Sequence, residues 1–136
     1  MLNLQELESG LLALATKKNE LAALSYDDTR YDEVEEELHD LEDDFQEQWG
    51  DYLEDALHRV HDDLCPDNDV LLPIAYVANR YATTEDGRWV PVEGGVPVEV
   101  DELPTKGAKL ALAPKPTRIV LIISPKKQED VWVAKA

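Results

Sequence analysis

The apolar positions of the first half recur at helical spacing. Leu4, Leu7, Leu11, Leu14, Leu21 and Leu24 fall three and four apart, with Lys18 interrupting, and this stripe predicts a first helix over about residues 3–24. Ser25-Tyr26-Asp27-Asp28-Thr29 breaks the pattern, and Thr29 followed by Asp32 has the spacing of a capping box that opens a second helix. Its stripe runs through Tyr31, Val34, Leu38, Leu41, Phe45, Trp49, Tyr52, Ala56, Val60 and Leu64 to Cys65-Pro66, where proline ends it, giving one helix of about 35 residues. Leu38, Trp49 and Val60 repeat every eleven residues, a period that favours a straight or slightly right-handed pairing.

A short loop makes neighbouring helices antiparallel. That register sets Leu21 opposite Val34, Leu14 opposite Leu41, Leu11 opposite Phe45 and Leu7 opposite Trp49. The first helix runs out near Tyr52, so Leu53, Ala56, Leu57, Val60 and Leu64 need another cover. The rest of the chain supplies one, although a second copy of the protein, as a homo-oligomer, is an alternative cover.

From Pro66-Asp67-Asn68-Asp69 onward the sequence turns to valine, isoleucine, proline and glycine, and strands are expected at about 70–83, 88–93, 96–101, 108–113, 117–124 and 129–135. The separators are Asp86-Gly87, Gly94-Gly95, Lys106-Gly107, Pro114-Lys115-Pro116 and Pro125-Lys126-Lys127. Val96, Val98 and Val100 alternate with polar positions or proline, whereas Arg118 to Ile123 is apolar on both faces and belongs in the middle of a sheet. Pro91 and Pro97 flank Gly94-Gly95, which marks that hairpin as a sheet edge or arm. The expected fold is α+β: an N-terminal antiparallel helical hairpin, coiled-coil-like, over 1–66, then a small five- or six-stranded antiparallel β barrel or meander over 67–136 packed on the end of the second helix.

Charge divides the chain in the same place. The net charge is −17; Met1–Asp69 carries 22 acidic and 4 basic residues, while Val70–Ala136 carries 8 and 9. Such acidity repels nucleic acid and anionic membranes and favours basic protein surfaces or cations. A single cysteine, Cys65, cannot form an internal bridge and fits a reducing compartment. With no positive n-region before Gly10 and no apolar run longer than Ile119–Ile123, the expectation is a soluble, cytoplasmic protein with no membrane partner.

Three constellations could carry chemistry. Glu54, His58, His61, Asp62 and Cys65 share one arc at the end of the second helix, read as exposed and opposite Ala56, Val60 and Leu64. The spacing of His58, His61 and Asp62 could set two or three donors on one divalent metal, the sole cofactor the sequence suggests, but no CxxC or HExxH completes the shell. His39, between Glu36 and Asp43, is a lesser candidate of the same kind. At the hairpin tip Asp27 and Asp28, with Asp32 and Glu33 one turn on, concentrate carboxylates at the end of a rod. That plan, a helical hairpin with an acidic tip followed by a β-rich domain, resembles transcript-cleavage factors of the Gre type in architecture, without their sequence motifs in the second half. The resemblance implies a regulator that inserts its tip into a partner's cavity, there delivering carboxylates or chelating a shared magnesium ion. The third constellation, the acidic run Asp32–Glu47, suits a dock for a basic protein or a nucleic-acid mimic, or is a solvated face.

Catalytic signatures are missing: Ser9, Ser25 and Ser124 lie in no nucleophile elbow, Cys65 stands at a helix end where the dipole raises a thiol pKa, and Gly94-Gly95 opens no helix. Arg88, Trp89, Lys126, Lys127 and Trp132 could form an oligonucleotide face, which the adjacent acidic rod opposes, and Trp132 reads better as core. The sequence therefore points to a non-enzymatic interaction or adaptor protein whose acidic rod engages a basic protein surface. The alternatives are the tip-insertion regulator and a binder of metal or small ligands.

Overall fold

The computed structural model describes residues 3–100, 102–103, 107–124 and 126–135. Helix α1 spans Leu4–Ala22, and Asn3 caps it by accepting a hydrogen bond from the Glu6 amide at 3.2 Å. Leu7, Leu11, Leu14 and Ala15 are its buried face, as their spacing requires. Helix α2 spans Tyr31–Leu64 and stops before Pro66, with the Cys65 amide still donating to the His61 carbonyl at 2.8 Å.

The expected capping box at Thr29 and Asp32 does not form. Arg30 is the N-cap and makes no side-chain cap bond; instead the Asp28 carboxylate accepts from the Arg30 amide at 2.8 Å and the Asp28 carbonyl from the Tyr31 amide at 3.0 Å. An aspartate reaching the amide two residues on satisfies the turn more locally than Thr29 could. The helices touch at Lys17 and Glu37, 2.7 Å apart, and at Gly10, where a Cβ would lie 3.3 Å from the Phe45 ring. The two contacts fall in opposite order along α1 and α2.

The segment expected as one strand over 70–83 splits. Pro73–Tyr76 forms a short 3-10 helix, η1, and only Arg80–Thr83 is a strand, β1. Pro73 opens the helical turn because its fixed φ suits that position and it has no amide to satisfy. The remaining strands are β2 Trp89–Glu93, β3 Val96–Glu99, β4 Gly107–Ala113, β5 Arg118–Ser124 and β6 Lys127–Val133. The Lys106-Gly107 turn, the end of the expected 96–101 strand at Asp101, and Pro125 lie wholly or partly outside the described residues.

Among the described residues there is no closed barrel. The strands form two antiparallel sheets, β1-β2 and β3-β4-β5-β6. Consequently β2 and β3 are not the expected hairpin, because Gly94-Gly95 carries the chain from one sheet to the other. Both glycines have positive φ, 95° and 99°, and a Cβ on Gly94 would stand 2.8 Å from the Asn79 amide nitrogen. The edge expectation fits β3, which carries Pro97, and β5 is an inner strand buried over Arg118–Leu121. One core joins the layers: Leu7, Leu11 and Leu14 of α1, Leu53, Leu57 and Val60 of α2, and Leu110, Leu112, Ile119 and Leu121 of the sheet. The C-terminal part of α2 is thus covered by this chain. Among the described residues no helix is long and apolar enough to cross a membrane.

Candidate functional site

The exposed side of α2 follows from its wheel. At 100° per residue Asp32, Glu33, Glu36, Glu37, Asp40, Asp43, Asp44 and Glu47 fall within an arc of about 140°, opposite the buried Val34, Leu38 and Phe45, and all eight are exposed. Among the described residues the ion pairs of α2 carboxylates are Glu37 with Lys17 at 2.7 Å and Glu54 with His58 at 3.7 Å. The hydrogen bonds that the Lys17 ammonium donates to Glu37 and then Glu20 raise its pKa above the usual value. The rest of the arc has solvent for a partner, so each carboxylate can exchange water for an incoming cation.

At the tip, the Ser25 hydroxyl donates to Asp27 Oδ1 at 2.8 Å and Asp28 serves the Arg30 amide. Both aspartates thus order the loop that carries them. Asp32 and Glu33 stand in the first turn of α2, where the helix dipole favours negative charge. Tyr26 is 85% exposed and tilts against Tyr31 with ring centroids 5.2 Å apart.

The structure separates the residues of the proposed metal face. His58 and Asp62 are exposed, but His61 and Cys65 are buried, so the five do not share an exposed surface. His61 stands at the flank of the apolar stripe, beside Leu57 on the wheel, and the chain after Pro66 folds back over that flank. His61 Nδ1 lies 3.0 Å from the Asn68 carbonyl, which can only accept, so Nδ1 bears the proton in the neutral ring. Nε2 then accepts from the Tyr76 hydroxyl at 2.9 Å, and that oxygen accepts from the Leu71 amide at 3.1 Å. No lone pair of His61 is left for a metal. Burial pushes the Cys65 thiol and the Tyr76 phenol up. Among the described residues no group of three or more His, Cys, Asp or Glu is placed to hold a metal ion.

Sequence reasoning missed the second polar centre. Arg118 is 1% exposed and joins both sheets: Nη1 donates to the carbonyls of Pro114 and Pro116 at 2.9 and 3.1 Å, Nη2 to the carbonyl of Trp89 at 2.7 Å, and Nε to Asp130 at 3.0 Å. Burial pulls the guanidinium below its usual value against the opposing pull of Asp130. For Asp130 burial acts against ionisation, but hydrogen bonds and charge from Arg88 and Arg118 outweigh it and hold the carboxyl low. Glu8 of α1 makes a similar clamp, accepting from the Lys115 amide at 2.7 Å and the Thr117 hydroxyl at 2.9 Å. The available signal was an arginine opening an otherwise apolar run.

Trp132, expected in the core, is half-buried against Tyr52 at 5.7 Å, and Arg88 of the considered oligonucleotide face is engaged by Asp130. In place of a barrel interior, a cleft of about 420 Å³ opens between the end of β2 and strands β4–β5, walled by Pro91, Val92, Ile122 and Ile123. No protein-family model, curated protein or solved structure matches the chain.

Proposed function

We propose that the protein is a non-enzymatic interaction or adaptor protein, acting in the cytoplasm, in which α1 and α2 form an antiparallel acidic rod that engages a basic protein surface. The observation that carries this reading is the arc of eight exposed carboxylates on α2, of which only Glu37 has an ion-pair partner among the described residues. A helix bearing like charges at i, i+4, such as Asp32 with Glu36 and Asp40 with Asp44, loses about 0.2–0.5 kcal/mol for each pair. A basic partner converts that loss into attraction and speeds encounter.

The test is affinity capture from a lysate of the native source, washed at low and then high salt, using the wild type beside a variant with Asp40→Asn, Asp43→Asn, Asp44→Asn and Glu47→Gln. A basic protein retained by the wild type, released by salt and absent from the variant supports the rod as a dock. Equal capture by both proteins would sink it. Action through the tip is the second reading, favoured by the exposure of Tyr26 beside Asp27 and Asp28. Asp27→Asn with Asp28→Asn distinguishes the two, since it removes tip action and leaves binding along the arc nearly unchanged.

A further inference from the structure

The segment between α2 and β1 leaves two consecutive leucines in water. Leu71 is 46% and Leu72 54% exposed. They are fixed there by the chain around them: Asn68 is tied to His61, the Leu71 amide to the Tyr76 hydroxyl, and Leu72 is the N-cap of η1, whose Pro73 and Tyr76 are buried. The buried relay through His61 and Tyr76 thus holds the backbone that presents the apolar pair, so binding has less backbone left to order.

A groove of about 560 Å³ is lined by Leu71, Leu72 and Ile74 of that segment together with Lys18 of α1 and Glu42 of α2. Gly94 and Gly95 complete the lining, and Gly94 could not carry a side chain without striking Asn79. The margins are acidic. Glu35 lies two turns from Glu42 on the same side of α2, the arc of exposed carboxylates begins beside them, and exposed Asp67 and Asp69 precede the leucines. Lys18 is the one cation of the lining among the described residues. An apolar centre bordered by carboxylates is complementary to a helix with an apolar face bordered by lysine or arginine.

We infer that this groove binds an amphipathic basic helix of a partner protein, its apolar face on Leu71, Leu72 and Ile74 and its cations on Glu35, Glu42 and the acidic arc. The inference rests on the reading of the rod as a dock for basic surfaces and adds the apolar anchor that gives such a dock its register. The acidic arc supplies attraction, and the leucines select partners with the right periodicity.

The test uses two labelled synthetic peptides of identical leucine and lysine content. In one the leucines recur every three and four residues; in the other the order is shuffled so that no face is apolar. Binding to the protein is followed by fluorescence anisotropy at low and high salt. The groove predicts that the periodic peptide binds at least about tenfold more tightly than the shuffled one. Leu71→Ser with Leu72→Ser, at exposed positions that leave the core intact, removes that advantage without changing the shuffled peptide's affinity, whereas Glu35→Lys with Glu42→Lys weakens the periodic peptide. Equal, salt-sensitive binding of both peptides, unchanged by the leucine substitutions, overturns the groove and leaves the rod reading standing. No binding of either peptide overturns both. A protein that self-associates through the leucine pair, shown by a mass that rises with concentration and returns to monomer in the serine variant, overturns the groove as a partner site.

Discussion

The two halves of the molecule use charge in opposite ways. In α2 the carboxylates of the exposed arc are solvated, numerous and, apart from Glu37 with Lys17 of α1, without ion-pair partners among the described residues. In the β half, charges are balanced in number and a few are committed: Arg118 is buried, its Nε, Nη1 and Nη2 all donate, and it holds Trp89, the Pro114–Pro116 turn and Asp130 together. A solvated charge is cheap to change and available to a partner. A desolvated one is expensive to change and belongs to the fold.

Substitution should expose that contrast most strongly at Arg118. Arg118→Ala leaves the Trp89, Pro114 and Pro116 carbonyls without their donor and Asp130 with Arg88 alone, so a loss of about 3–5 kcal/mol is expected, read as a lower urea midpoint with an unchanged slope. A shift below about 1 kcal/mol would mean that the sheets are joined by apolar packing and that the arginine is incidental.

Within the helical half the same rule should hold at the His61–Tyr76 relay. Tyr76→Phe keeps the ring but leaves His61 Nε2 and the Leu71 amide without their partner, with an expected loss of about 1–3 kcal/mol. Because Leu71 is held by that hydroxyl, faster amide exchange confined to residues 68–72 would localise the effect. Unaltered exchange there would detach the leucine pair from the relay.

The smallest effect has the opposite sign. Asp44→Lys removes the Asp40–Asp44 repulsion and puts an i, i+4 attraction in its place, which together should stabilise the protein by about 0.4–1 kcal/mol, a gain that fades as salt screens the pair. A destabilised variant would show that the arc carries contacts of its own and is not merely solvated.

Much of the helical half was legible because its determinants are local. The spacing from Leu4 to Leu14 and from Val34 to Val60 fixes which side of each helix is buried, and Pro66 fixes where α2 ends, whatever the rest of the chain does. Turn chemistry at Asp86-Gly87 and Pro114–Pro116, and the doubly apolar run of β5, located strands for the same reason. Asp28 replacing Thr29 at the start of α2 lay beyond that reach, since several neighbouring side chains could serve one amide and only the loop conformation selects among them.

The tertiary structure decided the rest. A pair of glycines permits a hairpin or a crossing equally well, and only the approach of Gly94 to Asn79 and of Gly95 to the Leu110 carbonyl shows that the chain crosses to a second sheet. His61 occupies a position on the wheel that could be wet or dry, and it is dry because a segment beyond Pro66 returns over it. Arg118 and Asp130 stand twelve residues apart on paired strands, an encounter set by sheet register that no local pattern encodes. The sequence by itself determined the helices, their acidity and the strand-forming character of the second half, since spacing, charge and turn residues act over a few positions. Sheet partners, buried polar centres and the leucine-lined groove arise from contacts between distant segments, and those exist only once the chain has packed.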